Sequence, residues 1–123
     1  MILRIVGDGF LRWVLRSKIH KATVTDANPD YVGSISVDED LIMKAGFWPG
    51  EKVLVVSNTS GVRLETYLIP CEKGSGKICM NGAAAHKIKP GEEITIMGFE
   101  LTNTPIEPKK ILVDKKNKPI KFL

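Results

Sequence analysis

The sequence predicts a mainly β fold: a closed barrel with short helices and a pseudo-twofold internal repeat. The tripeptide Pro-Gly-Glu occurs at residues 49–51 and again, 41 positions later, at residues 90–92. Each copy follows a short helical pattern and precedes an apolar strand, residues 52–56 and 93–97. Elsewhere apolar and polar residues alternate, as in half-buried strands. Two such halves wrapped about one axis favour a barrel.

Length and composition favour one domain. A chain of 123 residues, 43% hydrophobic and 26% charged, can bury a core without disulfide or metal support. We expect a single domain over residues 1–123: an N-terminal extension at 1–9, the barrel at 10–114 and a basic tail at 115–123. No apolar run is long enough to span a membrane, and the start lacks a secretion signal. We therefore expect a cytoplasmic protein without membrane contact.

The net charge of +4 raises the alternative of a non-enzymatic barrel that binds nucleic acid. Nucleic-acid modules usually interleave aromatic residues with basic ones, whereas here Phe122 alone accompanies six C-terminal lysines. We therefore expect a solvated basic surface and no nucleic-acid partner. The lysines are Lys109, Lys110, Lys115, Lys116, Lys118 and Lys121.

Cys71 and Cys79 are too few for a zinc site, and we expect no metal. They lie symmetrically about Ser75, so a hairpin there could place them opposite each other. A disulfide is then geometrically possible, although free thiols are favoured in a cytoplasmic chain.

The predicted elements follow from local pattern. Alternation predicts strands at residues 10–16, 17–25 and 31–37, with a turn cluster at 26–30. Residues 38–46 begin with acidic residues and end in glycine, which predicts a short helix. In the second half we predict strands at 52–57, 62–69, 77–80, 93–101 and 111–113, a loop at 73–76 and a turn into a short helix at 81–86.

Gly33-Ser34 interrupts the alternation of its strand. Taken alone, the dipeptide indicates a bulge followed by an ordinary serine. A second Gly-Ser, Gly74-Ser75, lies at the same 41-residue offset as the repeat. The dipeptide alone therefore cannot predict a reaction, and its surroundings must decide.

Four segments, in order and spacing, resemble the aspartate 1-decarboxylase family. The resemblance implies a double-psi β-barrel, assembly as a homotetramer, and conversion of L-aspartate to β-alanine and CO2 for pantothenate synthesis. The segments are Ser17-Lys18-Ile19-His20, Tyr31-Val32-Gly33-Ser34, Arg63-Leu64-Glu65-Thr66-Tyr67 and Asn81-Gly82-Ala83-Ala84-Ala85-His86-Lys87.

The resemblance also implies a cofactor made from the chain itself. The chain would cut itself between Gly33 and Ser34, and Ser34 would become a pyruvoyl group that forms a Schiff base with the substrate amine. This group replaces pyridoxal phosphate as the electron sink, and no metal is implied. Because Gly33 has no Cβ, it would permit the distorted backbone of a serine attacking its own preceding carbonyl.

The family roles carry over residue by residue. Tyr67 matches the proton donor, and Arg63 matches a clamp for the substrate's side-chain carboxylate. Thr66 matches the donor to the developing oxyanion. The remaining substrate-binding residues are Lys18, Asn81, Gly82, Ala83 and Ala84, and His20 and Tyr31 are auxiliary.

Three alternatives stay open. Without the resemblance, Arg63 would be interpreted as a surface cation and Tyr67 as a packing residue. Period two places Arg63 and Tyr67 on one strand face and Thr66 on the other, so either the strand bulges or the pocket includes a neighbouring subunit. Another substrate, such as glutamate, would also satisfy Arg63.

Overall fold

The computed structural model describes residues 9–123, and within them the protein is mainly β, as predicted. The strands are β1 (Arg12–Thr23), β2 (Asp26–Asn28), β3 (Ser34–Asp38), β4 (Lys52–Ser57), β5 (Arg63–Cys71), β6 (Ile78–Asn81), β7 (Glu93–Thr102), β8 (Lys109–Val113) and β9 (Pro119–Phe122). Between them lie the α-helix α1 (Glu39–Lys44) and a 3-10 helix (Gly82–His86). In this range no helix is long and apolar enough to cross a membrane.

The nine strands form one sheet that returns on itself. Their order is β2-β6-β3-β5-β4-β7-β1-β8-β9. Because β1 runs directly into β2 through Val24 and Thr25, the first and seventh positions of this order are one continuous stretch of chain. The backbone N–H of Thr25 donates to Ile78 O at 2.8 Å, which continues the pairing at the join. The predicted barrel is therefore present, closed by six strand positions.

The internal repeat is visible in hydrogen bonds as well as in sequence. In the first half, the Gly50 N–H donates to Leu68 O and the Leu68 N–H donates to Glu51 O. In the second half, Gly91 and Glu92 exchange the same two bonds with Val24. The strand pairs also correspond, since β3–β5 and β6–β2 are parallel while β4–β5 and β7–β1 are antiparallel. The pseudo-twofold prediction is confirmed.

The core fills the barrel with aliphatic side chains from every strand of the closed ring. Alternate residues of β3 and β6, namely Ile35, Val37, Ile78 and Met80, are fully buried in it. Their strand neighbours point to the opposite face by the period-two rule. That opposite face of β3 and β6 carries the polar residues of the site described below.

Three elements differ from the sequence-based predictions. Where two strands were predicted over residues 10–16 and 17–25, the chain forms the single strand β1 with register shifts, and Lys21 lies at a φ of 62° beside one shift. β2 occupies the first part of the predicted turn, and only residues 29–30 turn. The basic tail contains β9, and within it Asn117 is fully buried. The extension predicted at residues 1–9 lies, except for Gly9, outside the described residues.

The two cysteines do not face each other. β3 lies between their strands. Cys71 on β5 is opposite Asp38 of β3, and Cys79 on β6 is opposite Ser36 of β3. Two strand spacings amount to about 9.5 Å, whereas a disulfide needs Cα atoms within about 7 Å. Both thiols are free. The hairpin considered for residues 71–79 is absent because β3 inserts between its two arms.

Candidate active site

A cleft of about 480 Å³ opens where β3 lies between β5 and β6. The 3-10 helix that follows β6 forms one wall, and the middle of β5 forms the other. The lining residues are Gly33, Ser34, Leu64, Glu65, Thr66, Tyr67, Asn81, Ala83, Ala84 and Lys87. Most of the residues predicted for the site therefore meet in one place.

Strand register puts the Gly33-Ser34 dipeptide between its predicted partners. On one side Ser34 is directly opposite Asn81 in the antiparallel β3–β6 pair. On the other side the parallel β3–β5 pair aligns Ile35 with Leu68. Continued one residue earlier, this register would place Tyr67 beside Ser34, and continued two residues earlier it would place Thr66 beside Gly33. All four residues line the cleft. The dipeptide is thus flanked by an amide, a hydroxyl and a phenol.

Ser34 is fully buried and fully hydrogen-bonded. Its hydroxyl donates to the Val32 carbonyl at 3.0 Å and accepts from Asn81 Nδ2 at 2.9 Å. A hydroxyl has one proton to donate, so these two bonds fix both its position and its direction. Ser34 is therefore held at the cleft floor, one bond from the carbonyl of Gly33.

Glycine is required at Gly82 more clearly than at Gly33. Gly82 has a φ of +66°, and a Cβ there would lie 2.7 Å from the Gly33 Cα and 3.0 Å from Tyr31 O. The start of the 3-10 helix therefore packs directly on the backbone of Gly33, the residue before the predicted cleavage position. Gly33 has no left-handed φ, and a Cβ on it would meet nothing within 4 Å. Neither the sign of φ nor a steric contact therefore requires glycine at position 33 in this structure.

The cleft carries one charge of each sign. Glu65 pairs with Lys52 on the neighbouring strand, Nζ to Oε2 at 2.8 Å, and this pair is largely solvent-exposed. Lys87 follows the 3-10 helix and also lines the cleft. Because Glu65 is already neutralised by Lys52, the charge that the cleft can offer to an anion is that of Lys87.

Besides Gly82, which packs behind the cleft on Gly33, four predicted residues lie outside the cleft of their own chain. Arg63 begins β5 and is exposed, four residues from Tyr67 or about 13 Å along the strand. Lys18 and His20 lie on β1, where Lys18 faces Met97 and Lys110 in neighbouring strands. The Tyr31 side chain is half exposed. A single chain does not bring these four to Ser34.

His20 lies in an environment that keeps it neutral. Burial, followed by the positive charges of Lys18 and Lys21, lowers the pKa of His20 below its usual value. Its Nδ1 atom is buried and has no hydrogen-bond partner among the described residues. At neutral pH the imidazole is therefore uncharged.

β5 resolves one alternative that the sequence leaves open. Its pairing with β4 runs without a register shift from Lys52↔Tyr67 to Val56↔Arg63. The strand does not bulge, yet Thr66 and Tyr67 both line the cleft from opposite faces because the cleft opens at the strand's edge. Of the two explanations considered for this strand, a bulge is excluded.

Sequence reasoning missed five residues around Ser34. Leu64, Glu65 and Lys87 line the cleft, and Ser36 and Cys79 hydrogen-bond to Asn81. The sequence does carry an indication of the last two residues. Ser36 is two residues from Ser34, and Cys79 is two residues from Asn81, so each shares a strand face with a predicted site residue. In residues 9–123 no group of three His, Cys, Asp or Glu side chains could hold a metal ion.

A family model described as aspartate decarboxylase matches residues 10–120. This match spans every residue of the cleft. The chain belongs to the aspartate decarboxylase family.

Individual relatives are similar to this chain in sequence over most of their lengths. Aspartate 1-decarboxylase from Desulfitobacterium hafniense is 47% identical over 115 residues, which cover 90% of this chain and 91% of that protein. The enzyme of the same name from Acetivibrio thermocellus is 50% identical over 111 residues, covering 87% and 88%. That from Bacillus subtilis is 46% identical over 111 residues, covering 87% of each. The resemblance inferred from four short segments thus extends across the barrel.

Proposed function

We propose that this chain is a self-processing, pyruvoyl-dependent decarboxylase that converts L-aspartate to β-alanine and CO2, supplying β-alanine for pantothenate. One observation carries the proposal: the buried Ser34 hydroxyl lies at the floor of a cleft, between Asn81 and Tyr67, in a chain of the aspartate decarboxylase family. The free thiols of Cys71 and Cys79 suit the cytoplasm, where we place the enzyme.

Self-cleavage would begin at the hydroxyl of Ser34. Its oxygen attacks the carbonyl carbon of Gly33, and the Gly33–Ser34 amide becomes an ester. Elimination then breaks the Cβ–Oγ bond, which leaves a carboxylate on Gly33 and a dehydroalanine at position 34. Water adds to the dehydroalanine and ammonia leaves, which yields the pyruvoyl group. The sum is one water consumed and one ammonia released.

The neighbours of Ser34 suit this reaction. Thr66 lines the same cleft as Gly33, where its hydroxyl would donate to the oxygen that becomes negative. The close packing of Gly82 on Gly33 limits movement of the attacked peptide. Before attack, the Ser34 hydroxyl must release the Val32 carbonyl and turn toward Gly33. Asn81, which donates to the oxygen and not to its proton, limits how far the oxygen moves.

In the processed enzyme, residues of the same cleft bind the substrate and take part in its decarboxylation. When present, the pyruvoyl group supplies a ketone that binds the substrate amine and accepts the electron pair left on the α-carbon when CO2 departs. Tyr67, next to position 34, returns a proton to the carbon that has lost its carboxylate. Ala83 and Ala84 line the wall of the cleft with small side chains, which leaves room for substrate.

The substrate's side-chain carboxylate needs a cation that does not also hold the departing carboxylate. Tight pairing to the departing group would stabilise the ground state and slow its loss. We assign the clamp to Arg63, with Lys87 adding positive charge inside the cleft. Lys18 and the neutral His20 contribute to the same polar surface.

Because Arg63, Lys18 and His20 lie outside the cleft of their own chain, we propose a homotetramer in which a neighbouring copy completes each site. The exposed aromatic side chains Trp13 and Trp48, 71% and 78% accessible, are apolar surface that such contacts would cover. Size measurement in solution tests this directly: a processed monomer with full activity would contradict it.

The function is tested by incubating purified, processed protein with L-aspartate and measuring CO2 and β-alanine. We expect stoichiometric release of both, with L-glutamate a poor substrate. Release of neither product by fully processed protein would overturn the proposal, and preference for another amino acid would replace the substrate.

The clamp is tested by Arg63→Met and Lys87→Met, each processed before assay. We expect KM for L-aspartate to rise about tenfold or more for Arg63→Met, the loss of a charge-assisted hydrogen bond, and less for Lys87→Met. Lys115→Met, on the basic tail away from the cleft, is the matched control and leaves KM unchanged.

A further inference from the structure

Four small polar side chains form a ladder on the outer face of β3 and β6. Ser34 is opposite Asn81, and Ser36 is opposite Cys79. Of these four, Ser34, Cys79 and Asn81 are buried, and Ser36 is partly buried. We call them the polar quartet. They are held together by hydrogen bonds that all pass through one side chain, the amide of Asn81.

Each polar atom of the Asn81 amide has a defined partner. Its Nδ2 donates to Ser34 Oγ and to Ser36 Oγ, both at 2.9 Å, which uses both amide protons. Its Oδ1 accepts from the Cys79 thiol at 3.2 Å. Asn81 makes no other side-chain hydrogen bond within the described chain that would choose between its two orientations. The thiol and the second hydroxyl therefore decide which end of the amide faces Ser34.

The orientation matters because a reversed amide would face Ser34 with an acceptor. Oδ1 would then compete with the Val32 carbonyl for the single proton of the Ser34 hydroxyl. Nδ2 would face the sulfur of Cys79, which is a weak acceptor. Burial, then the nearby Asp26 carboxylate, raises the pKa of the Cys79 thiol. The sulfur thus keeps its proton at neutral pH, and Asn81 Oδ1 at 3.2 Å is a nearer acceptor for it than the Met80 carbonyl at 3.8 Å.

We propose that Cys79 and Ser36 are positioning residues for self-cleavage: together they orient the Asn81 amide so that it donates to the Ser34 oxygen. Neither residue touches the scissile bond. The thiol acts through Asn81, and its contribution ends when Ser34 has been consumed. This inference rests on the proposed self-cleavage at Gly33–Ser34.

The test compares the rate of self-cleavage among single variants. Protein is isolated as the intact chain, and its half-time of conversion to two fragments is followed by mass spectrometry at fixed temperature. Cys79→Ala, which removes the donor, should slow cleavage about three- to tenfold. Cys79→Ser, which restores a hydroxyl donor, should return it to within about twofold of wild type. Cys71→Ala, which removes the thiol on the other side of β3, should leave it unchanged.

Unfolding temperatures measured in parallel separate positioning from stability. A structural role alone would slow Cys79→Ala and Cys79→Ser in proportion to their loss of stability, with no rescue by the hydroxyl. Equal rates for wild type and Cys79→Ala would overturn the inference, as would failure of Cys79→Ser to rescue. If Cys79→Ala does not fold, Ser36→Ala carries the test, and an unchanged rate there would equally overturn it. A wild-type chain that never cleaves would instead overturn the proposed function and this inference with it.

Discussion

The chain contains two Gly-Ser dipeptides at equivalent places in its internal repeat, and their surroundings are opposite. Ser34 opens a central strand, is fully buried, and hydrogen-bonds to Asn81. Ser75 lies in an exposed loop after β5, where its hydroxyl accepts from the Lys77 N–H at 3.1 Å. Gly74 has a left-handed φ of +78°, whereas Gly33 does not. The same two residues are thus a strand entry in one half and a turn in the other.

The difference indicates that the neighbouring strands, and not the dipeptide itself, distinguish the position proposed to react. At Ser34, Thr66 and Tyr67 lie on one side and Asn81 on the other. At the second dipeptide, the Asp38 carboxylate instead accepts from the N–H groups of Gly74 and Gly76, at 2.9 and 2.8 Å. One half of the repeat therefore carries the proposed chemistry, and the other ties the barrel together.

The largest expected effect separates the two serines. Ser34→Ala removes the nucleophile, so we expect no cleavage and no decarboxylation. Ser75→Ala is the matched control and should leave cleavage, activity and unfolding free energy within experimental error, because its side chain is exposed. Intact mass and β-alanine release measure both. Activity in Ser34→Ala, or its loss in Ser75→Ala, would reverse the comparison.

The next effect concerns the packing of the 3-10 helix on the cleavage site. Gly82→Ala should destabilise the fold by at least about 1–2 kcal/mol, the cost of a left-handed φ for alanine, and slow cleavage because its Cβ would displace Gly33. Gly91→Ala shares the left-handed φ but meets open space, so it should cost stability without slowing cleavage. Chemical denaturation and cleavage half-times measure the two effects. Equal half-times for the two variants would refute this packing role.

A third prediction concerns pH and the loop that holds Ser75. Burial alone raises the pKa of Asp38, but the N–H groups of Gly76, Gly74 and Asp40 outweigh it and hold the pKa below its usual value. A carboxylate with a lowered folded-state pKa contributes stability above its unfolded pKa, which is lost as the pH falls through the folded one. The free energy of unfolding should therefore decrease on acidification below about pH 5.

Asp38→Asn tests that linkage. It should lower the free energy of unfolding at neutral pH by about 1–3 kcal/mol, because an amide oxygen replaces only one of two acceptors, and it should flatten the acid dependence. Cleavage should stay confined to Gly33–Ser34. An acid dependence as steep as that of wild type would show that other carboxylates cause it.

The smallest expected effect is at the rim of the cleft. Glu65→Gln removes the ion pair with Lys52. The side chain of Glu65 is 62% exposed and that of Lys52 is 75% exposed. The free energy of unfolding should change by no more than about 0.5 kcal/mol, since exposed pairs contribute little. A larger change in the free energy of unfolding, measured by chemical denaturation, would mean that this ion pair supports the strand pairing around Ser34.

Much of this architecture could be predicted from sequence because local pattern and the repeat agree. The Pro-Gly-Glu turns and the apolar strands β4 and β7 follow from composition and period alone. The neighbours of a strand could not be predicted in the same way: the symmetric placement of Cys71 and Cys79 about Ser75 allows a hairpin, yet β3 lies between their strands, parallel to β5 and antiparallel to β6. Periodicity does not reveal which strands are neighbours.

The site shows the same division. The resemblance brought Ser34, Thr66, Tyr67 and Asn81 to one cleft, since family spacing carries the fold with it. Cys79 and Ser36 were missed because their importance depends on the register of β3 against β6. Arg63 is predicted to clamp the substrate, but it lies about 13 Å along β5 from Tyr67. Which site it serves depends on how copies of the chain assemble, and one sequence does not specify that.

The central claim is that the barrel cleaves itself at one Gly-Ser and not at the other. Intact-mass spectrometry of purified protein after long incubation tests it most directly. We expect two species that meet at Gly33/Ser34, with masses summing to the full chain plus water minus ammonia, and no cut at Gly74/Ser75. A single species with the mass of residues 1–123 would contradict the account.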